Sequence, residues 1–187
     1  KSVAIDTETM GLNPIRDRLC LVQLSTGNNI CHLIQFKKYN KIKCPNLNKI
    51  LKNKKIEKIF HYARFDVSIL NYNLNISVNS IYCTKIASKL TRTFTDKHGL
   101  KDLCKELLDV EISKIQQSSD WGKDKLTKSQ LKYAATDVLY LHKIKAILDK
   151  MLKRESRTSL ARACFEFINY RTKLDLLGWN QTDIFSH

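Results

Sequence analysis

Three short apolar runs open the chain. "VAIDT", "LCLVQLS" and "ICHLI" cover Val3 to Thr7, Leu19 to Ser25 and Ile30 to Ile34, and each has strand length and aliphatic content. The polar stretches between them, "GLNPIRD" and "TGNN", are turn chemistry, so the three strands are expected to pair as antiparallel neighbours. "CPNLNKILKN" predicts a short helix with Pro45 and Asn46 near its start. "IEKIF" then predicts a fourth strand, "ARFDVSILN" a helix and "SIYCT" a fifth strand. From Leu100 the apolar spacing becomes helical, with Leu100, Leu103, Cys104, Leu107 and Leu108 on one stripe. Thr127 opens the longest pattern, "TKSQLKYAATDVLYLHKIKAILDKML", which reads as one helix. Its apolar face would hold Leu131, Ala134, Ala135, Val138, Leu141 and Leu148. "TSLARACFEFINY" predicts the last helix, before a tail ending "LDLLGWNQTDIFSH".

Three strands, then alternating helix and strand, then helices alone, predict an α/β fold. Its centre would be a five-stranded mixed sheet, three strands antiparallel, flanked by helices. Residues 1–187 are expected to form a single domain, with a core over about 1–152 and a C-terminal helix and tail over 153–187.

Composition narrows this. With 43% hydrophobic residues, five Gly and two Pro, the chain is neither disordered nor fibrous. No apolar run reaches the ~20 residues that span a bilayer. The chain starts at Lys1 with neither a secretory signal nor an initiator Met, so some N-terminal sequence is expected to precede it. Six scattered cysteines without a C-x-x-C pair read as reduced, mostly buried thiols of a cytoplasmic protein. The net charge of +15 calls for a polyanionic partner, nucleic acid before an anionic membrane surface. Abundant Asn and Ile alongside Lys are also what an A/T-rich coding sequence favours, which weakens that inference. The segment from Lys37 to Lys58 holds nine lysines and one acid, Glu57. It fits either a solvated helix face or a surface that tracks phosphates.

The carboxylates add chemistry. Asp6 and Glu8 stand two apart at the end of the first strand, so their side chains share one face. Two carboxylates there can grip one hard cation such as Mg²⁺ or Mn²⁺. Asp66 falls on the first turn of a helix, a position the helix dipole also favours. Tyr133 and Asp137, four apart in "YAATDVLYL", face the same way from an otherwise apolar helix. Four carboxylates and a tyrosine on these element types are the parts of a two-metal phosphodiester-hydrolysing site.

In this respect the chain resembles the 3'-5' exonucleases with four catalytic acids and a tyrosine: D-x-E on the first strand, an Asp after the fourth, and Y-x-x-x-D on a late helix. A sister group places a His five residues before the last Asp, where this chain has Lys132. Within the family the blocks "AIDTETMGLNPIRDRLCLVQLS", "HYARFDVSIL", "GLKDLCKELL", "SSDW" and "LKYAATDVLYL" are most similar to ribonuclease D, and the tail resembles that of short bacterial members. The C-terminal helical domain of longer ribonucleases D is expected to be absent, and Tyr62 stands where many members have Asn, so the pocket for the terminal nucleotide is expected to differ.

The resemblance implies an RNase H-like fold using two divalent ions, Mg²⁺ or Mn²⁺, to release nucleoside 5'-monophosphates from a 3' end. Asp6, Glu8 and Asp137 would hold the first ion; Asp6, with Asp66 through waters, the second; Tyr133 would orient the attacking water. Thr9, Met10 and Leu12 are the expected wedge against the terminal nucleotide, and His61 and Phe65 flank Asp66 where a base could stack. Trp121 is expected to cover the sheet rather than stack on substrate. The expected substrate is a single-stranded RNA 3' end such as that of a tRNA precursor. The alternatives are an exonuclease on DNA and, from another class, a non-catalytic basic RNA-binding module.

Overall fold

The computed structural model describes residues 1–37, 43–113 and 115–187. Part of the lysine-rich segment, including Lys38 and Lys41, lies outside the described residues.

A five-stranded sheet runs in the order β3-β2-β1-β4-β5. β1 (Ser2–Thr9) pairs antiparallel with β2 (Leu19–Ser25), which pairs antiparallel with β3 (His32–Gln35). On the other side β1 runs parallel to β4 (Glu57–Phe60), and β4 to β5 (Ile81–Cys83). β1 is thus the central strand, with Val3, Ala4 and Ile5 buried, and β2 is buried at every position. β3 starts later than "ICHLI" implies. Gly27 and Asn29 adopt positive φ, so the turn extends through Ile30, which is half exposed.

Helices cover the sheet: α1 (Pro45–Lys52), α2 (Ala63–Leu74), α3 (Thr84–Thr91), α4 (Leu100–Leu108), α5 (Lys128–Leu139), α6 (Leu141–Arg154) and α7 (Thr158–Leu174). Two of them correct the sequence reading. α3 was not expected, because its buried face is Thr84, Ala87, Ser88 and Thr91, small and polar rather than aliphatic. Those hydroxyls are satisfied locally; Thr84 donates to the Phe60 carbonyl and Thr91 to the Ala87 carbonyl.

The long helix expected from Thr127 is two helices, broken at Tyr140 (φ −96°, ψ −12°). α5 lies on β1 and β2, whereas α6 turns away to contact α3, α4 and β4. The buried face of α5 is Gln130, Ala134 and Val138, and Leu131 points outward. Gln130 is inward because it completes a capping box with Thr127 and hydrogen-bonds Ser119 and the Asp120 carbonyl. That ties the "SSDW" loop to the first turn of α5.

The main core joins both faces of the sheet, and a smaller cluster of Cys20, Leu21, Trp121, Leu126 and Ala134 sits under α5. α7 packs on α2 and β5. Beyond it, Asp175 receives a fork from Arg64 of α2 (2.7 and 2.8 Å) and a second from Arg171 (3.0 and 2.8 Å). The residues after α7 are thereby fastened to the helix that carries Asp66.

Candidate metal centre and cleft

Three chain segments converge beyond the C-terminal end of β1, where ligand sites of open α/β sheets gather. Asp6 and Glu8 project from β1, and a β-bulge between Glu8 and Thr9 turns the following residues over the cleft. Asp66 comes from the first turn of α2, which starts after Tyr62 in a left-handed conformation (φ 66°, ψ 47°). Tyr133 and Asp137 come from consecutive turns of α5. All five line one cleft of about 620 Å³.

Asp6, Glu8 and Asp137 each offer an oxygen within 4.8 Å of the others. Asp66 lies outside that trio, almost fully buried, and its Oδ1 accepts from Thr7 Oγ1 at 2.6 Å. Among the described residues no ion pair reaches any of the four acids.

Uncompensated carboxyls in a confined space resist ionisation. Burial is the largest cause raising Asp6 far above the usual range, reinforced by Asp66, Asp137 and Glu8. Glu8 is pushed to about 9 by burial and then by Asp137 and Asp66. Asp66 and Asp137 are each raised to about 7, chiefly by burial; the Thr7 hydroxyl opposes the rise at Asp66 and Tyr133 opposes it at Asp137. Burial and the neighbouring acids drive the Tyr133 phenol upward as well, which favours its neutral form.

This donor set fits a divalent cation. The ligands are hard oxygens, mutually close, short of positive partners and costly to ionise without one. Gln23 adds a further sign: it is fully buried beside Asp6 and Glu8, and its Oε1 has no partner.

The expected substrate contacts border the same cleft: Thr9, Met10, Leu12, His61 and Phe65. Met10 and Leu12 are 50% and 83% exposed, so their apolar ends are free to meet a ligand. His61 Nδ1 lies 2.9 Å from Thr84 Oγ1. Trp121 covers the sheet, buried on Cys20 and Leu21, with its ring 6.0 Å from that of Tyr133, and it also reaches the cleft wall. Tyr62, the departure from the family's Asn, lines the cleft, as do Lys85 and Lys101, which were not expected there. Lys85 Nζ lies 4.4 Å from the Tyr62 ring centroid. Thr7 and Gln23 were also missed. A Gln inside the otherwise apolar "LCLVQLS" was the available signal, since a buried amide needs a partner.

The chain belongs to the 3'-5' exonuclease family, whose pattern matches residues 1–153. It is similar to ribonuclease D of Gluconacetobacter diazotrophicus, 30% identical over 155 residues, which are 83% of this chain and 39% of that protein. The chain thus spans about two fifths of the length of the ribonucleases D it matches. DNA polymerase I of Aquifex aeolicus is 34% identical over 140 residues, 75% of this chain and 22% of that protein. Among solved structures, Brucella melitensis NrnC with bound Mg²⁺ is 54% identical, with a TM-score of 0.95 over 100% of this chain and 90% of that one. The same protein solved with pGG is 56% identical, with a TM-score of 0.96 and the same coverage.

Proposed function

We propose that this protein is a metal-dependent 3'-5' exoribonuclease that removes nucleoside 5'-monophosphates from RNA 3' ends. The observation that carries this reading is the meeting of Asp6, Glu8 and Asp137 within 4.8 Å, in a cleft that Asp66 and Tyr133 share. Asp6, Glu8 and Asp137 would hold one divalent ion, Mg²⁺ or Mn²⁺. Asp66, acting with Asp6 through waters, would hold a second. Ions held there would supply a water of lowered pKa and would offset charge on the departing oxygen.

The chain's own groups do the rest. Tyr133, kept as a neutral phenol, positions the attacking water by hydrogen bonding and is unsuited to act as the base. Thr7 holds Asp66 in place. Met10 and Leu12 wedge against the last nucleotide, Thr9 lies beside them, and His61 and Phe65 form the facing wall. Lys85 and Lys101 offset phosphate charge at the mouth.

Two observations bear on the substrate. The likeness to NrnC, solved with pGG, favours a short RNA; the likeness to ribonuclease D favours longer 3' ends such as those of tRNA precursors. NrnC matches over nearly its full length, so we assign short single-stranded RNA first and tRNA precursors second. The match to a DNA polymerase supports DNA as the alternative substrate. A non-catalytic RNA-binding module does not require the complete acidic set. Among the described residues no helix is long and apolar enough to cross a membrane, and the free thiols suit the reducing cytoplasm.

The test compares 5'-labelled pGG, a longer single strand, a tRNA precursor and matched DNA, each with Mg²⁺ or Mn²⁺. Fastest turnover of pGG supports the assignment. Preference for the tRNA precursor or for DNA transfers it to that substrate, and no cleavage with either metal refutes it.

A further inference from the structure

Gln23, the fifth residue of β2, is fully buried and stands directly across from Asp6 in the antiparallel register. Its Nε2 lies 3.1 Å from Asp6 Oδ2 and 3.5 Å from Glu8 Oε1, while its Oε1 is buried without a partner. Its neighbours Leu21, Val22 and Leu24 are buried aliphatic residues. A Leu or Met here would serve the core better than an amide, which is costly to bury when half its hydrogen-bonding capacity is unused. The amide therefore answers to something other than packing.

We propose that Gln23 is a positioning residue for the metal centre: its side-chain amide orients Asp6 and Glu8 to receive the ion. This rests on the reading of the cleft given under Proposed function. Asp6 and Glu8 rotate about their terminal torsions, and an ion binds tightly only if their oxygens are already aimed. An amide N–H pins one oxygen of each carboxylate and leaves the other without that contact. The donor is also uncharged. A Lys or Arg at the same position would orient the acids equally well, but it would neutralise them and compete with the cation. With its Nε2 turned to the two acids, the amide leaves Oε1 on the other side, buried and without a partner.

The experiment measures Mn²⁺ affinity by calorimetry on RNA-free protein, comparing wild type with Gln23→Met, which keeps the side-chain length and removes both polar atoms. The Kd for Mn²⁺ should rise about 10- to 100-fold. The metal-free melting temperature should be unchanged or higher, and kcat at saturating Mn²⁺ should return to within a few-fold of wild type. A Kd within twofold of wild type overturns the proposal, as does a kcat that stays low once Mn²⁺ saturates. If Gln23→Met fails to fold, the side-chain amide resonances of Gln23 in wild type are followed while Mg²⁺ is added. They should shift and saturate with the ion's own Kd, and resonances that do not move overturn the proposal. Wild type that binds no Mn²⁺ and cleaves nothing refutes the exonuclease reading itself. Normal wild-type binding and cleavage with an unaffected Gln23→Met refutes this proposal alone.

Discussion

Thr7 reaches from β1 to α2 and donates its hydroxyl to Asp66, with Oγ1 2.6 Å from Oδ1. The strand that carries Asp6 and Glu8 therefore also fixes the acid of the neighbouring helix. Thr7→Val keeps the shape and removes the donor, leaving a buried carboxyl short of a partner at a cost of about 1–3 kcal/mol. Because the hydroxyl opposes the upward shift at Asp66, its loss should move the acid limb of the activity–pH profile to higher pH. Activity should fall about tenfold at neutral pH and partly recover at pH 9, a deficit of the order that lost bond allows. An unshifted limb would separate Thr7 from Asp66 function.

The acids also set how stability depends on pH. Glu8 at about 9 and Asp66 and Asp137 at about 7 bind protons more tightly in the folded metal-free protein than in the unfolded chain, where carboxyls titrate near 4. The folded state thus holds extra protons between those limits, and metal-free stability should fall as pH rises from about 4 to about 9. A divalent ion reverses this by pairing with the ionised forms. Thermal melts should show a larger Mn²⁺-induced rise in melting temperature at pH 8.5 than at pH 6, and calorimetry should show proton release on binding. Equal metal stabilisation at both values would contradict the assignment of these acids as ligands.

Tyr133→Phe removes only the hydroxyl and leaves the ring beside Trp121. If the phenol positions water, kcat should drop by about 10²-fold, the lower end for a group that manages a proton in the transition state. KM and Mn²⁺ affinity should stay within about twofold. A parallel loss of Mn²⁺ binding would instead make Tyr133 part of the metal site.

Gly122 leaves room for the proposed wedge. A Cβ there would lie 2.4 Å from Met10 Sδ, and the sulfur is the flexible end that must move. Gly122→Ala should therefore displace Met10 and raise KM for RNA about fivefold, equivalent to ~1 kcal/mol of lost nucleobase contact. The melting temperature should hardly change. An unaltered KM would take Met10 out of the substrate site.

That Asp6, Glu8, Asp66, Tyr133 and Asp137 share one cleft was legible in the sequence, because polar groups in or beside apolar strands and helices stand out. The antiparallel pairing of the first three strands followed from turn chemistry, and the mixed sheet from the switch to alternating helices; the order β3-β2-β1-β4-β5 came only with the fold. Thr7 was not legible as a site residue, and Gln23 was visible only as an amide out of place in an apolar strand. Their partners lie 59 and 17 positions away, and only the folded chain brings them together. The break at Tyr140 was hidden because Leu141, Ile144 and Leu148 continue an apolar period on a helix that has changed direction. α3 escaped because its buried face is made of hydroxyls and an alanine.

What stands or falls first is the role of Asp6, Glu8 and Asp137 in holding a metal that drives removal of nucleotides from an RNA 3' end. Its most direct test is a time course on a 5'-labelled RNA with Mn²⁺, run beside an EDTA control and an Asp6→Asn variant. Products should shorten one nucleotide at a time from the 3' end, with no shortening in EDTA and none with Asp6→Asn. Cleavage that survives EDTA, begins at internal positions, or proceeds at the wild-type rate without Asp6 would contradict it.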